Sequence, residues 1–160
     1  MLQVAREAAN QYPAEFDDAC PIERAVTVLG RRSTILLLRE ASYGTSRFDE
    51  FVRRTGLTES VTAGQLRKLV DEGLLTKRPY QEPAQRQRFE YVLTDAGEDL
   101  LPILIAMGAW GDKHRPKTHR VHMVHADCGA AMEVQVLCEA GHRVAASEVA
   151  VVFDDGQPSR

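Results

Sequence analysis

The sequence predicts a mainly α fold with a β-hairpin wing, a winged helix-turn-helix, followed by a small β-rich C-terminal appendage. Three observations carry that expectation. The stretch from Leu57 to Leu74, LTESVTAGQLRKLVDEGL, has the start, the stop and the apolar face of one helix. Three shorter helical patterns precede it, and two β-patterned segments, LLTKRPY and RFEYVLT, follow it. Charge is also segregated: Arg31 to Val92 holds 12 Lys/Arg against 8 Asp/Glu, a net of +4, while residues 1–30 carry −3 and residues 93–160 carry −4.

In the organising stretch, Thr58 suits the N-cap, where its hydroxyl accepts from an otherwise orphaned backbone N–H. Gly73 suits the residue past the helix end, because glycine takes the left-handed conformation at little cost. Thr62, Leu66, Leu69 and Val70 recur on one side at helical spacing, and Ser60, Gln65, Arg67 and Lys68 fall elsewhere. No acid stands between Ser60 and Val70. Donors on an acid-free outer face suit a helix that enters a DNA groove. An ordinary surface helix has the same pattern, so the surrounding elements must decide.

The first 19 residues are polar, with Pro13 among them, and read as an arm whose order would come from a partner. Cys20-Pro21 opens a helix, since proline suits the first turn, and Ile22, Val26 and Leu29 continue at helical spacing until Gly30. Arg31 to Ala41 reads as a second helix, and Ile35 to Leu38 is so densely apolar that it should be the most buried one. Ser46 is expected to cap a short helix, RFDEFVRRT, with Phe48, Phe51 and Val52 inward and Gly56 at its end. The tight turn around Gly56 then makes a helix-turn-helix with the organising stretch.

The two β-segments flank a polar loop, QEPAQRQ, and together form a hairpin wing whose arginines can reach a neighbouring minor groove. Thr94 is expected to cap a long helix from Asp95 to about Lys113, with a kink available at Pro102. Its apolar residues, Leu100, Leu101, Leu104, Ile105, Met107 and Trp110, exceed what one small core requires. That surplus suggests a dimer, since DNA half-sites are usually read by twofold dimers.

With 160 residues, 44% of them hydrophobic and 27% charged, the chain forms one domain or one domain with an appendage. No apolar run reaches the roughly 20 residues that span a bilayer, and the N-terminus lacks a secretory pattern, so a cytoplasmic protein away from membranes is expected. Three cysteines argue for free thiols or metal ligands over a disulfide framework.

Glycine-rich phosphate loops, nucleophile elbows and paired carboxylates are all missing from the sequence, so no catalytic residue is assigned and no enzyme is expected. Cys20 at a helix start is either a small packed residue or a thiol activated by the helix dipole. Beyond the linker Arg115-Pro116-Lys117-Thr118, the segment 119–153 offers two chelating pairs, His125/Cys128 and Cys138/His142, with His119 and His122 as alternative ligands. So small a hairpin is marginal alone. Either packing on the rest of the dimer or zinc must hold it. The expectation here is packing without a cofactor, because Gly141-His142 stands where a zinc ribbon would supply a second CxxC cysteine.

Several runs together resemble the HxlR-type winged-helix transcriptional regulators of bacteria. They are Cys20-Pro21-Ile22-Glu23-Arg24-Ala25, Gly30 before Arg-Arg-Ser-Thr, Leu38-Arg39-Glu40, Arg47-Phe48-Asp49-Glu50 and Gln65-Leu66-Arg67-Lys68-Leu69. Asp71-Glu72-Gly73-Leu74-Leu75, Glu90-Tyr91-Val92-Leu93-Thr94 and Trp110-Gly111 complete the likeness, which spans residues 20 to 114. Ser33 departs from it, standing where members usually carry a bulky aromatic. The resemblance implies a homodimer on double-stranded operator DNA, with a sensory role for the cysteine at Cys20 and a small-molecule or redox effector.

The domains expected are therefore an arm over 1–19, a DNA-binding and dimerisation domain over 20–114, and a β-rich segment over 119–153. Thr58 to Glu72 would enter the major groove. Thr58, Ser60, Gln65, Arg67 and Lys68 would touch bases or phosphates, Arg31, Arg32 and Arg47 would sit on phosphates, and Arg86 or Arg88 would serve the wing. The competing reading is a winged-helix protein-interaction module without DNA readout.

Overall fold

The computed structural model of the chain describes residues 3–4, 20–81, 86–115 and 123–151, with the backbone alone at 3, 4 and 151. The elements are β1 (Gln3–Val4), α1 (Pro21–Leu29), α2 (Arg32–Ser42), α3 (Phe48–Thr55), α4 (Glu59–Asp71), β2 (Leu75–Tyr80), β3 (Arg88–Leu93), α5 (Asp95–Glu98), α6 (Leu101–His114) and β4 (Ala150–Val151). Among the described residues, no helix is long and apolar enough to cross a membrane.

The core forms where α2, α3 and α4 meet the wing. Leu37, Leu38 and Ala41 of α2, Phe51 of α3, Leu66 and Leu69 of α4 and Leu75 of β2 make one buried cluster. Each large side chain there contributes about 1.5–3 kcal/mol relative to its exposed state. Phe51 meets Tyr91 edge-on, with ring centroids 6.4 Å apart, which ties α3 to the wing. Glu40 is also buried. Its carboxylate accepts from Arg39 at 2.6 Å and faces Arg54 of α3 at 3.9 Å, so the charge is paired where burial would otherwise penalise it.

Two elements differ from the sequence reading. Arg47, not Ser46, is the N-cap of α3, and no side-chain cap bond is made there. Arg47 is extended, and both residues are used by the sheet: the Tyr91 N–H donates to the Ser46 carbonyl at 2.8 Å, and Arg47 forms a β-bridge with Glu90. The long helix expected after Thr94 is two helices. Pro102 lies in the first turn of α6 and has no N–H to bond the Glu98 carbonyl, so α5 ends at Glu98 and α6 restarts at Leu101. Thr94 does cap α5, accepting from the Gly97 N–H at 3.2 Å. Gly97 is held tightly there, since a Cβ on it would collide with the Leu74 carbonyl.

The C-terminal segment is built of tight turns. Val124 bridges Ala131, Leu137 bridges Arg143, and β4 runs parallel to β1 with Gln3 opposite Ala150. None of residues 123–150 is buried. The rest of the arm, the wing tip at 82–85, the linker at 116–118 and both His119 and His122 lie outside the described residues.

Candidate nucleic-acid interface

The Thr58 hydroxyl accepts from the Val61 N–H at 3.3 Å and so starts α4. The turn before it is fixed by Gly56 in the left-handed region, φ +66°. Thr55 also donates to the Phe51 carbonyl at 2.6 Å and accepts from the Leu57 N–H. This is the geometry of α3–turn–α4 that the sequence reading expected.

At helical periodicity, Ser60, Val61, Gly64, Arg67 and Lys68 share one face of α4, and all but the half-exposed Lys68 are open to solvent. The opposite face carries Thr62, Gln65, Leu66 and Leu69, all buried. Gln65 is therefore a correction to the base-reading set. It is 8% exposed, and its amide donates to the Thr34 hydroxyl of α2 at 2.7 Å. Its spacing shows why: Thr62, Gln65, Leu66 and Leu69 are an i, i+3, i+4, i+7 set, the pattern of an inward face. Val61 was missed on the outer face. At 46% exposed it presents an apolar side chain to solvent on that face. Its i+3 and i+7 neighbours, Gly64 and Lys68, are the signal that could have placed it.

In the wing, β2 and β3 pair antiparallel from Leu75 opposite Leu93 to Tyr80 opposite Arg88. Lys77, Arg78, Arg86 and Arg88 are exposed, which adds Lys77 and Arg78 to the cations foreseen. Lys77 lies over the Phe89 ring at 4.2 Å, and the Arg47 guanidinium lies over the Tyr80 ring at 4.9 Å. Both aromatic faces thus hold a cation against the sheet. Arg78 faces Glu90 across the ladder, which offsets part of its charge.

Arg31 and Arg32 border a groove of about 520 Å³ between α1, α2 and α6, with Val26, Ile35, Leu36, Ile103 and Met107 in its walls. Cys20 is the N-cap residue of α1, half-buried, with its thiol free. Cys128 and Cys138 are exposed and free. The His125 Nδ1 lies 3.2 Å from the Cys128 Sγ, and the Cys138 Sγ lies 3.6 Å from the His142 Nδ1. Among the described residues no three His, Cys, Asp or Glu side chains are gathered for a metal, so the two pairs stand as separate halves.

Residues 28–119 match the HxlR-like helix-turn-helix family. The chain is 34% identical over 131 residues to an uncharacterized HTH-type transcriptional regulator of Mycobacterium tuberculosis, covering 80% of this chain and 82% of that one. YybR, an uncharacterized HTH-type transcriptional regulator of Bacillus subtilis, is 32% identical over 110 residues, with 68% and 85% covered. Among solved structures, PA1607, described as a candidate transcription factor, superposes with a TM-score of 0.76 at 33% identity, covering 86% of this chain and 97% of that one. The redox regulator HypR in its reduced form superposes with a TM-score of 0.54 at 31% identity, covering 60% and 94%. The α3–turn–α4 unit, the paired wing and these matches agree on one assignment: the chain belongs to the HxlR-like helix-turn-helix family of DNA-binding transcriptional regulators.

Proposed function

We propose that the chain is a cytoplasmic, homodimeric regulator that binds operator DNA sequence-specifically and responds to oxidants or electrophiles through Cys20. The observation that carries the reading is the outer face of α4, where Ser60, Val61, Gly64, Arg67 and Lys68 present hydroxyl, methyl, bare backbone and cations with no acid among them. Ser60 and Val61 in the first turn suit base edges, and Gly64 lets the backbone approach closely. Arg67 and Lys68 suit phosphates, as does the Thr58 hydroxyl, which keeps its proton while it caps the helix. Arg86 and Arg88 serve the wing, with Arg47 beside it. Arg31 and Arg32 border the groove on which a second copy would close, where they can meet phosphates between half-sites.

Support for the dimer comes from α1, which has no buried residue. Support for Cys20 comes from its place at the head of that helix, where modification of the sulfur would disturb the surface that joins two copies. The likeness to HypR, a redox regulator, favours the same reading.

The test is to bind the full chain to sheared genomic DNA, sequence what is retained, and repeat on the selected site across salt concentrations. Phosphate contacts make log affinity fall linearly with log salt. Retention of a shared sequence with a steep salt slope is the expected result. Retention of no sequence, with salt-insensitive association to another protein, would favour the interaction-module alternative.

A further inference from the structure

We propose that the C-terminal segment is a structural zinc module in which His125, Cys128, Cys138 and His142 take one ion together. The two halves of the site are built alike. In the first, the Gly129 N–H donates to the His125 carbonyl at 2.8 Å, with Gly129 at φ +69°. In the second, the Gly141 N–H donates to the Cys138 carbonyl at 2.8 Å, with Gly141 at φ +79°. Each turn is closed behind by a backbone bond, His125 N–H to the Ala130 carbonyl and Cys138 N–H to the His142 carbonyl. Each hairpin tip therefore presents one imidazole and one thiol on the same side.

The spacing within each tip is that of zinc ligands. With Zn–S near 2.3 Å, Zn–N near 2.0–2.1 Å and tetrahedral angles, a sulfur and a nitrogen on one zinc stand about 3.5 Å apart. The two pairs stand at 3.2 and 3.6 Å, in both cases through Nδ1. Neither tip alone completes a tetrahedron. The nine residues between Cys128 and Cys138 keep the tips within about 36 Å even at full extension, so one ion can close both. Two thiols and two imidazoles suit zinc over magnesium or calcium, which favour oxygen ligands. Binding releases the two thiol protons to solvent, and the two thiolates neutralise the ion's charge. Four protein ligands leave no open position, which makes the site structural and not catalytic.

The surroundings give the segment little else to fold around. Val124, Val136 and Leu137 are 50%, 62% and 57% exposed, and none of residues 123–150 is buried. Among the described residues of one chain, Met123 reaches an apolar groove beside Ile35, Leu36, Leu104 and Met107, but that contact buries no side chain of the segment, and packing on a second chain would not place an imidazole beside a thiol twice. A metal supplies folding energy outright.

The test is elemental analysis of the full chain, purified under reducing conditions without chelator or affinity metal. The expected result is one zinc per chain, lost in Cys128→Ser and equally in Cys138→Ser. DNA binding and the helical content of residues 20–114 should persist in both variants. Replacing the zinc of the wild-type chain with cobalt should give the visible absorption bands of a tetrahedral site with thiolate charge transfer, a readout that needs no variant to fold. Absence of zinc, with none taken up from an equimolar solution, would overturn the proposal. So would half an ion or two ions per chain, or loss in one cysteine variant without the other.

Discussion

The Gln65 amide donates to the Thr34 hydroxyl across 2.7 Å of buried space, joining α4 to α2 at residues 31 positions apart. The bond ties α4 to α2 at this position, because Gln65 cannot turn outward without breaking it. Gln65→Ala should therefore act on stability. It should cost about 1–3 kcal/mol, the penalty of a buried hydroxyl left without a partner plus a small void, measured by urea unfolding. Gln65→Leu with Thr34→Val, which removes both polar partners, should recover part of that loss. A Gln65→Ala protein as stable as wild type but with altered base preference would mean that the residue faces DNA after all.

Readout of sequence should instead move with the opposite face. Arg67→Ala should weaken every DNA sequence alike and lower the salt slope by about one unit, and Lys68→Ala should act in the same direction. Val61→Ala, which trims a side chain that is 46% exposed, should relax preference at one position at a cost of about 1 kcal/mol against the best site. Competition binding over a library of single-base variants separates the two behaviours. If Arg67→Ala changed base preference while Val61→Ala weakened all sites equally, the roles assigned to these residues would be reversed.

Most of the helix-turn-helix was legible in the residues because its signals are local. Thr58 and Gly73 mark the ends of α4 through backbone hydrogen bonding and a positive φ, both properties of single positions. The Leu66 and Leu69 face follows from periodicity alone. Gln65 was misplaced because its type suggested solvent, while its position on the helix put it inward; periodicity outweighs polarity when a partner such as Thr34 waits across the core. Ser46 fails as a cap for a different reason. Its carbonyl is taken by Tyr91, far along the chain, and no local pattern announces a strand of one or two residues. Lys77 and Arg78 fit the strand pattern, and that pattern does not show that both faces of the hairpin stay exposed at these positions.

Cys20 is half-buried while Cys128 and Cys138 are exposed, so accessibility alone would make the tail thiols the first to react. A regulatory role for Cys20 predicts the contrary functional pattern. Wild-type protein treated with a thiol-directed oxidant or alkylator should change its affinity for operator DNA, measured by fluorescence anisotropy. Cys20→Ser should bind as well as reduced wild type and ignore the reagent. Cys128→Ser with Cys138→Ser should respond as wild type does. A Cys20→Ser protein that still responds would remove Cys20 from the sensing role.

The dimer prediction rests on surface that one chain leaves open. Ile22 of α1 is 72% exposed, and Trp110 of α6 is 59% exposed. Between the two helices runs the groove walled by Val26, Ile35, Leu36, Ile103 and Met107. Apolar surface of this continuity marks an interaction site more often than plain solvent-facing surface, and a twofold arrangement would let α1 of each copy enter the groove of the other. Val26→Glu with Met107→Glu should leave the core of α2, α3 and α4 folded, since neither side chain is buried. The same pair of charges should prevent two copies from closing, because desolvating them has no compensating partner. Sedimentation velocity should give a dimer for wild type and a monomer for the double variant. The monomer's melting temperature should be lower and independent of concentration. DNA affinity should fall by at least tenfold, since one α4 can then engage one half-site. Wild-type protein that sediments as a monomer at micromolar concentration, yet binds its operator tightly, would sink the dimer reading.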